Sequence, residues 1–285
     1  MRPFGSDALG IPPTGLPVLQ ELIHERTGLF FDADRTDLLA ERVAPLVVER
    51  GFRSFLDLYY LLKYDEPAAR VVWRQVMDAL SVPETYFWRE MDQIRAVVCY
   101  VVPELVRRGA GVIRIWSAPC ASGEEPLTIA MALNEAGWFD RAAIEIHGSD
   151  GSGAAIARAQ AGRYRSRALR ALPPALLEKY FVAEGDAFVP RAELARRVTS
   201  WSVVNLMMPE DVAPYARSPI VFCRNAFIYF SPQAIKHVVA GLGATMPSPG
   251  YLCIGASESL LHITSVFSLE EIDRAFVYVK RGVDD

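Results

Sequence analysis

IWSAPCASGEEP, residues 115–126, is the stretch on which the fold turns. An apolar run stops abruptly at small residues, and two adjacent carboxylates, Glu124 and Glu125, follow. The pattern predicts a strand, a tight turn and a helix start. Small side chains let a backbone pass close to a ligand, and Gly123 reaches dihedrals that other residues resist. The helix beginning near Glu124 would aim its unpaired N–H groups at the same spot. A phosphate is the ordinary guest of such a turn. Here the carboxylates oppose an anion, and no lysine follows as in GxxxxGK[ST]. The turn suits a ligand with an ammonium or other cationic end.

Outward from this turn, short apolar runs alternate with helical stretches. The runs are 112–118, 143–150, 201–206, 220–227, 251–257 and 276–281. Their near-continuous hydrophobicity is that of strands covered on both faces. Helical patterns at 125–136, 154–161 and 232–245 lie between several of them, which predicts a doubly wound, mostly parallel α/β sheet. Residues 163–200 are too long for a simple loop and read as an insertion. The last two runs have no helical crossover between them and predict an antiparallel edge hairpin. Upstream, the chain reads as helical, over 17–27, 35–50, 53–63, 67–80 and roughly 90–108. Pro45 is expected to bend or interrupt the second of these helices, and Pro67 suits a first helical turn.

Composition narrows the function. The chain has 285 residues, of which 51% are hydrophobic, enough for one large domain or two modest ones. A net charge of −4 argues against nucleic-acid binding. No apolar run is long enough to insert in a membrane, and the N-terminus lacks the apolar core of a signal peptide. Cys99, Cys120, Cys223 and Cys253 form no CxxC pair, and the four histidines stand singly. A reduced, cytoplasmic protein with no disulfide framework and no metal site is expected.

In folds of this class the ligand sits at the carboxyl ends of the strands. Asp150 ends the second run, where an acidic residue typically accepts hydrogen bonds from ribose hydroxyls. A nucleoside with a cationic amino-acid tail describes S-adenosyl-L-methionine. Each carboxylate alone is equally compatible with a solvated helix start favoured by the helix dipole. Their presence at adjacent strand ends favours the nucleoside.

The segments SVPETYFWRE (81–90), WSAPCASGEEP (116–126), GSD (148–150), AGRY (161–164), VNL (204–206), FCRNAFIYF (222–230) and GASESL (255–260) occur in the order seen in the CheR family. Over nearly its whole length the chain resembles these bacterial chemotaxis-type protein-glutamate O-methyltransferases. The resemblance implies an all-helical N-terminal domain with linker (1–88). It further implies a seven-stranded S-adenosylmethionine-dependent methyltransferase domain (89–285) with a small inserted β-subdomain at about 163–200. It implies methyl transfer to glutamate side chains of chemoreceptors for sensory adaptation, with S-adenosyl-L-homocysteine as product. Thr85 and Arg89 match residues that close over the cofactor, and Glu125 matches the carboxylate that engages it. Asp150 matches the ribose ligand, and Asn205 and Leu206 flank the adenine. Arg224 and Asn225 border the cofactor and the substrate entrance, and Tyr229 matches a tyrosine near the transferred methyl.

Two departures stand out. Pro83 occupies a position where the family usually has a cofactor-contacting Asn, so one contact is lost or replaced. Ser152 stands where a second acidic residue is usual at the strand tip. Arg89 or Arg224 is expected to orient the substrate carboxylate, with Tyr229 shaping the methyl pocket. The arginines could instead bind the cofactor's carboxylate. Arg224 could also be a structural ion pair, Arg89 a solvated helix-start charge and Tyr229 a packed core residue. Arg35, Arg42, Arg50 and Arg53 would share a helix face if the helix survives Pro45, and the resemblance implies that this face touches the receptor's cytoplasmic domain. Interleaved Asp37, Glu41 and Glu49 favour a merely solvated face. The compact 182–202 span suggests no need for a C-terminal peptide tether on the receptor. A monomer associating with membrane receptor arrays is expected. The rival readings are a catalytically weakened cofactor-binding interaction module, supported by Pro83 and Ser152, and a small-molecule methyltransferase, opposed by the helical domain and CRNAFIYF.

Overall fold

The computed structural model describes residues 11–82 and 84–282. Four helices open the chain: α1 (Leu16–Thr27), α2 (Thr36–Glu49), α3 (Phe55–Tyr64) and α4 (Glu66–Leu80). Leu19, Ile23, Leu39, Val43, Phe55, Leu58, Val72 and Val76 are fully buried among them and form a core of their own. Ser54 and Asp57 close a capping box at the start of α3. Of the bend or interruption expected at Pro45, the interruption does not occur, and α2 runs through the proline. The buried side chains lie on both sides of it, from Leu39 to Val47. Each buried aliphatic side chain gains about 1.5–3 kcal/mol, so together they outweigh the ~3 kcal/mol cost of an interior proline.

The segment read as one helix over 90–108 is α5 (Met91–Ala96), a π-helical turn (Val97–Val101) and α6 (Val102–Arg107). Pro103 lacks the N–H that would bond the carbonyl of Cys99, one turn back.

The sheet contains β1 (Val112–Ser117), β2 (Ala143–Asp150), β5 (Val198–Val203), β6 (Ile220–Cys223), β7 (Gly250–Ile254), β8 (Ser268–Ile272) and β9 (Ala275–Lys280). A separate hairpin holds β3 (Phe181–Glu184) and β4 (Ala187–Pro190). The sheet order is β5-β2-β1-β6-β7-β9-β8. The first five strands in that order pair in parallel, and β9 is antiparallel to both its neighbours. Helices α7 (Glu124–Glu135), α8 (Gly153–Ala161), α9 (Pro174–Tyr180), α10 (Ala192–Ala195), α11 (Pro209–Val212) and α12 (Pro232–Thr245) complete the chain. The path leaves β1 for β2 and β5 on one side, then returns to β6 on the other. A crevice therefore opens at the carboxyl ends of β1, β2 and β6, where the winding reverses.

Three strand expectations need correction. The run at 201–206 pairs over Val198–Val203, because Val204 turns away with its N–H on the Asp150 carbonyl. The run at 220–227 stops pairing at Cys223, where Arg224 and Asn225 turn into the site. The edge hairpin is β8–β9, and β9 lies between β7 and β8. SLEEI carries no apolar run to betray β8, because an edge strand half in water tolerates charge.

The span read as an insertion holds α9, a two-stranded hairpin turned at Gly185 with φ +64°, and α10, and its last residues from Val198 already belong to β5 of the main sheet. It is anchored rather than free-standing. Tyr164 bridges to Phe188, and Leu169, Leu172, Tyr180, Phe181 and Leu194 join the core beneath the sheet.

Candidate functional site

A cavity of about 330 Å³ occupies the crevice, roofed by the N-terminal helices. All nine site residues expected from the sequence line it: Thr85, Arg89, Glu125, Asp150, Asn205, Leu206, Arg224, Asn225 and Tyr229.

Its floor is the turn between β1 and α7. The Cys120 N–H reaches the Ser149 carbonyl at 2.7 Å, and the Ala121 N–H reaches Asp150 Oδ2 at 2.9 Å. Ala121 takes φ +46° and Gly123 φ +95°. A Cβ on Gly123 would stand 2.8 Å from the Trp201 ring and 3.1 Å from the Tyr164 hydroxyl, so glycine is required there. The two carboxylates that follow have different fates. Glu124 is buried beside the turn, accepts the Ser122 hydroxyl at 2.8 Å and does not line the cavity. Glu125 does line it, accepting Ser117 Oγ at 2.7 Å and Arg224 Nε at 2.6 Å. The turn thus presents one carboxylate, already balanced by a guanidinium.

Burial pushes the Glu124 carboxyl above its usual 4.5. The folded state then holds this proton more tightly than the unfolded chain, so stability falls as pH rises from about 4.5 through the raised value. Glu124→Gln cannot ionise. Thermal unfolding across that range should show a higher midpoint than the parent at pH 7 and a shallower decline from acid to neutral pH. A steeper decline in the variant would contradict this.

Arg224, 5% exposed, is committed to its surroundings. Besides Glu125 it donates to the carbonyls of Glu90 at 2.8 Å and Arg89 at 3.1 Å. It therefore ties the linker segment 84–90 to the turn after β6, and it sits in the wall of the cavity as an ion pair. Asn225, at φ +59°, follows it. The Asn225 N–H goes to Glu258 Oε2 at 2.9 Å, and its Nδ2 lies 3.4 Å from Glu90 Oε1. Glu258 also receives the N–H groups of Gly255 at 2.6 Å and Ile228 at 3.2 Å. A Cβ on Gly255 would meet Asn225 Nδ2 at 2.5 Å. Sequence reasoning gave Glu90 and Glu258 no role, although both lie in the motifs it singled out. Glu258 had a signal, a carboxylate inside the otherwise small and polar GASESL, whereas nothing in SVPETYFWRE set Glu90 apart.

Arg89 keeps more freedom. Its NH1 donates to the Glu84 carbonyl at 3.2 Å, its Nε lies 3.3 Å from Glu90, and its side chain is 26% exposed. Thr85 lines the wall beside it. The Tyr229 carbonyl accepts the Phe30 N–H at 2.8 Å, while its hydroxyl has no partner among the described residues. A packed core tyrosine would have its hydroxyl satisfied. On the far side the Asn205 amide is fixed, Nδ2 on the Arg26 carbonyl at 2.7 Å and Oδ1 on the Met207 N–H at 3.0 Å. Leu206 offers an apolar surface next to it.

Asp150 is 8% exposed, with Oδ1 on the Ser152 N–H and Oδ2 on the Ala121 N–H, both at 2.9 Å. Burial pushes its carboxyl above the usual 3.8. Ser152 caps α8 and donates to Asp78 Oδ1 at 2.6 Å. The carboxylate missing at position 152 is thus supplied across the domain boundary. Pro83, expected to cost a contact, lies outside the described residues.

The roof was not legible in the sequence. Leu29 bridges to Phe230, and a Cβ on Gly28 (φ +76°) would meet the Phe230 ring at 2.8 Å. Phe30, Phe31, Arg35, Leu38 and Arg42 face the cavity. The basic helix face is split. Arg42 donates to the carbonyls of Ala79 and Ser81 at 3.3 and 3.1 Å, and Arg50 to Gln75 at 2.5 Å. These two fasten α2 to the end and flank of α4, while Arg35 is exposed at the cavity mouth.

The site fits a sulfonium nucleoside. Glu125 offers a carboxylate for an amine, Asp150 a carboxylate for vicinal hydroxyls, and Leu206 an apolar surface for a base. Among the described residues no cluster of potential metal ligands occurs, and no helix is long and apolar enough to cross a membrane.

Residues 83–276 match the family model described as the CheR methyltransferase SAM binding domain, and residues 15–81 match the CheR methyltransferase all-alpha domain. The chain is similar to chemotaxis protein methyltransferase 2 of Vibrio cholerae, with 30% identity covering 92% of this chain and 91% of that protein. It is also similar to chemotaxis protein methyltransferase 1 of Pseudomonas aeruginosa, with 28% identity covering 90% and 94%.

Proposed function

The chain belongs to the CheR methyltransferase family, a family of S-adenosylmethionine-dependent chemotaxis methyltransferases, and from that premise we propose that it methylates glutamate side chains of chemoreceptors. The products are glutamate methyl esters and S-adenosyl-L-homocysteine. The observation that carries the reading is the convergence of Thr85, Arg89, Glu125, Asp150, Asn205, Leu206, Arg224, Asn225 and Tyr229 on one cavity between the two domains.

Bound there, the cofactor supplies an electrophilic methyl on a positively charged sulfur. Glutamate titrates near 4.3, so the attacking carboxylate is ionised at neutral pH and needs no base. The chain's task is alignment, which can contribute roughly 7–11 kcal/mol. Glu125, clamped by Arg224, would hold the amine end, and Asp150 would hold the ribose. Asn205 and Leu206 would flank the adenine, and Thr85 would close over the cofactor from the linker. Arg89 is the guanidinium with donors to spare for the substrate carboxylate, while Arg224 acts through Glu125 and the linker carbonyls. Tyr229 would shape the methyl pocket, and Asn225 would border the substrate's entry.

We divide the chain at 88/89, with an insertion at about 163–200. Separate apolar cores for residues up to Leu80 and from Phe87 onward support two units, with the linker residues Phe87 and Trp88 packed on the second. The protein is expected to act as a monomer in the cytoplasm at receptor arrays, without a receptor peptide tether, a view supported by the two-residue turn between β3 and β4. The reading as a weakened binding module loses support, because Asp78 stands beside Ser152.

Incubation with methyl-labelled cofactor and receptor-containing membranes should place base-labile label, released as methanol, in the receptor. Absence of label with every receptor of the host, despite measured cofactor binding, would sink the proposal. Arg89→Ala and Tyr229→Phe should each lower kcat by about tenfold or more, and unchanged rates in both would remove their assigned roles. For receptor docking, Arg35→Glu should raise the KM for receptor several-fold and leave the cofactor Kd unchanged. Arg42→Glu should also lower the unfolding midpoint, since its partners are the carbonyls at the end of α4.

A further inference from the structure

We propose that Asp78, in the N-terminal domain, is a positioning residue for the ribose end of the cofactor site. It would act through Ser152 on Asp150. The inference deepens the functional reading above and rests on its assignment of Asp150 to the ribose.

The contacts form a continuous relay. Asp78 Oδ1 accepts the Ser152 hydroxyl at 2.6 Å and the Ala154 N–H at 2.9 Å. Ser152 Oγ in turn accepts the Ala155 N–H at 3.0 Å, capping α8. The Ser152 N–H donates to Asp150 Oδ1 at 2.9 Å. One hydroxyl therefore fixes both the helix start and the peptide unit that orients the Asp150 carboxylate, and Asp78 fixes that hydroxyl. A carboxylate at a helix N-terminus is further favoured by the helix dipole. The neighbouring residue seals the same turn: a Cβ on Gly151 would stand 2.5 Å from Met77 Cε. Asp78 does not line the cavity, whereas Gly151 and Ser152 do. The catalytic domain thus borrows a carboxylate from α4 to set a loop that α4 does not itself complete.

This arrangement has a functional consequence. The rim of the nucleoside site is built only when α4 is docked on α8, so occupancy by the nucleoside and docking of the helical domain support each other, as linkage requires. Asp78 itself is exposed, and what the relay holds is the buried end of it, Ser152 at 2% exposure and Asp150 at 8%.

The test measures S-adenosylhomocysteine and its 2′,3′-dideoxy analogue by calorimetry on the full chain. The parent should bind the analogue distinctly more weakly. Asp78→Ala should raise the Kd for S-adenosylhomocysteine about tenfold, the scale of a charged hydrogen bond, while hardly changing that of the analogue. The discrimination between the two ligands therefore shrinks. Asp78→Asn, which retains an acceptor oxygen, should restore it to within about twofold. If Asp78→Ala does not fold, Ser152→Ala cuts the same relay and should show the same loss of discrimination. Full discrimination in Asp78→Ala or Ser152→Ala, even with a lowered unfolding midpoint, would reduce Asp78 to a packing role and overturn the proposal. A parent that does not distinguish the ligands would overturn the ribose assignment of Asp150 first, and the proposal with it.

Discussion

Arg224→Ala should be the most damaging single change at this site, lowering folding stability by about 3–5 kcal/mol, the cost of breaking a buried ion pair from one side. The truncation leaves Glu125, whose side chain is 12% exposed, without its counter-charge. It also strips the carbonyls of Arg89 and Glu90 of the guanidinium they share. The linker 84–90 would lose its tie to the turn after β6, so cofactor affinity should fall along with stability. Urea unfolding with an unchanged m-value should show the midpoint shift. Arg224→Lys should recover only a small part, because an ammonium cannot span three acceptors arranged for a planar fork. A midpoint within error of the parent would mean that the pair contributes nothing and that the linker is held by other contacts.

Asp150→Ala should raise the Kd for S-adenosylhomocysteine about a hundredfold. The change removes the carboxylate proposed to take the ribose hydroxyls. It also leaves the N–H groups of Ala121 and Ser152 without acceptors in a buried turn, and orphaned donors cost about 1–3 kcal/mol each. The effect should appear in cofactor binding more than in the KM for receptor, since Asp150 is the residue proposed for the nucleoside end and Arg35 and Tyr229 are those proposed for the receptor side. Calorimetry and receptor-saturation kinetics separate the two. Equal damage to both would place Asp150 in a general structural role.

Much of the site was legible because it is local in sequence. The turn 118–123 needs small residues and a positive φ at Gly123 wherever the chain runs, and strand-end position points to the Glu124–Glu125 pair and Asp150, whereas Asn205 and Arg224 are named only through the resemblance to the CheR family. The apolar runs of the parallel strands announce themselves because both faces are covered. β8 did not announce itself, since Ser268–Ile272 is an exposed edge whose side chains answer to water more than to a core. Pro45 misled for a related reason: local propensity argues for a break, and the long-range burial of Leu39 through Val47 overrides it.

The sequence by itself determined the alternation of strand and helix, the helical domain ahead of it and the carboxylates at the strand tips, because each follows from periodicity or from a turn's own stereochemistry. Only the tertiary structure decided which charges remain available. Glu124 is buried aside while Glu125 faces the cavity, Arg224 is consumed in holding it, and Asp78 reaches across from another domain to stand in beside Ser152. Charges interact through space at a few ångströms, whatever their separation along the chain, so a one-dimensional pattern can place an acid or a base at a strand end but cannot say what already neutralises it.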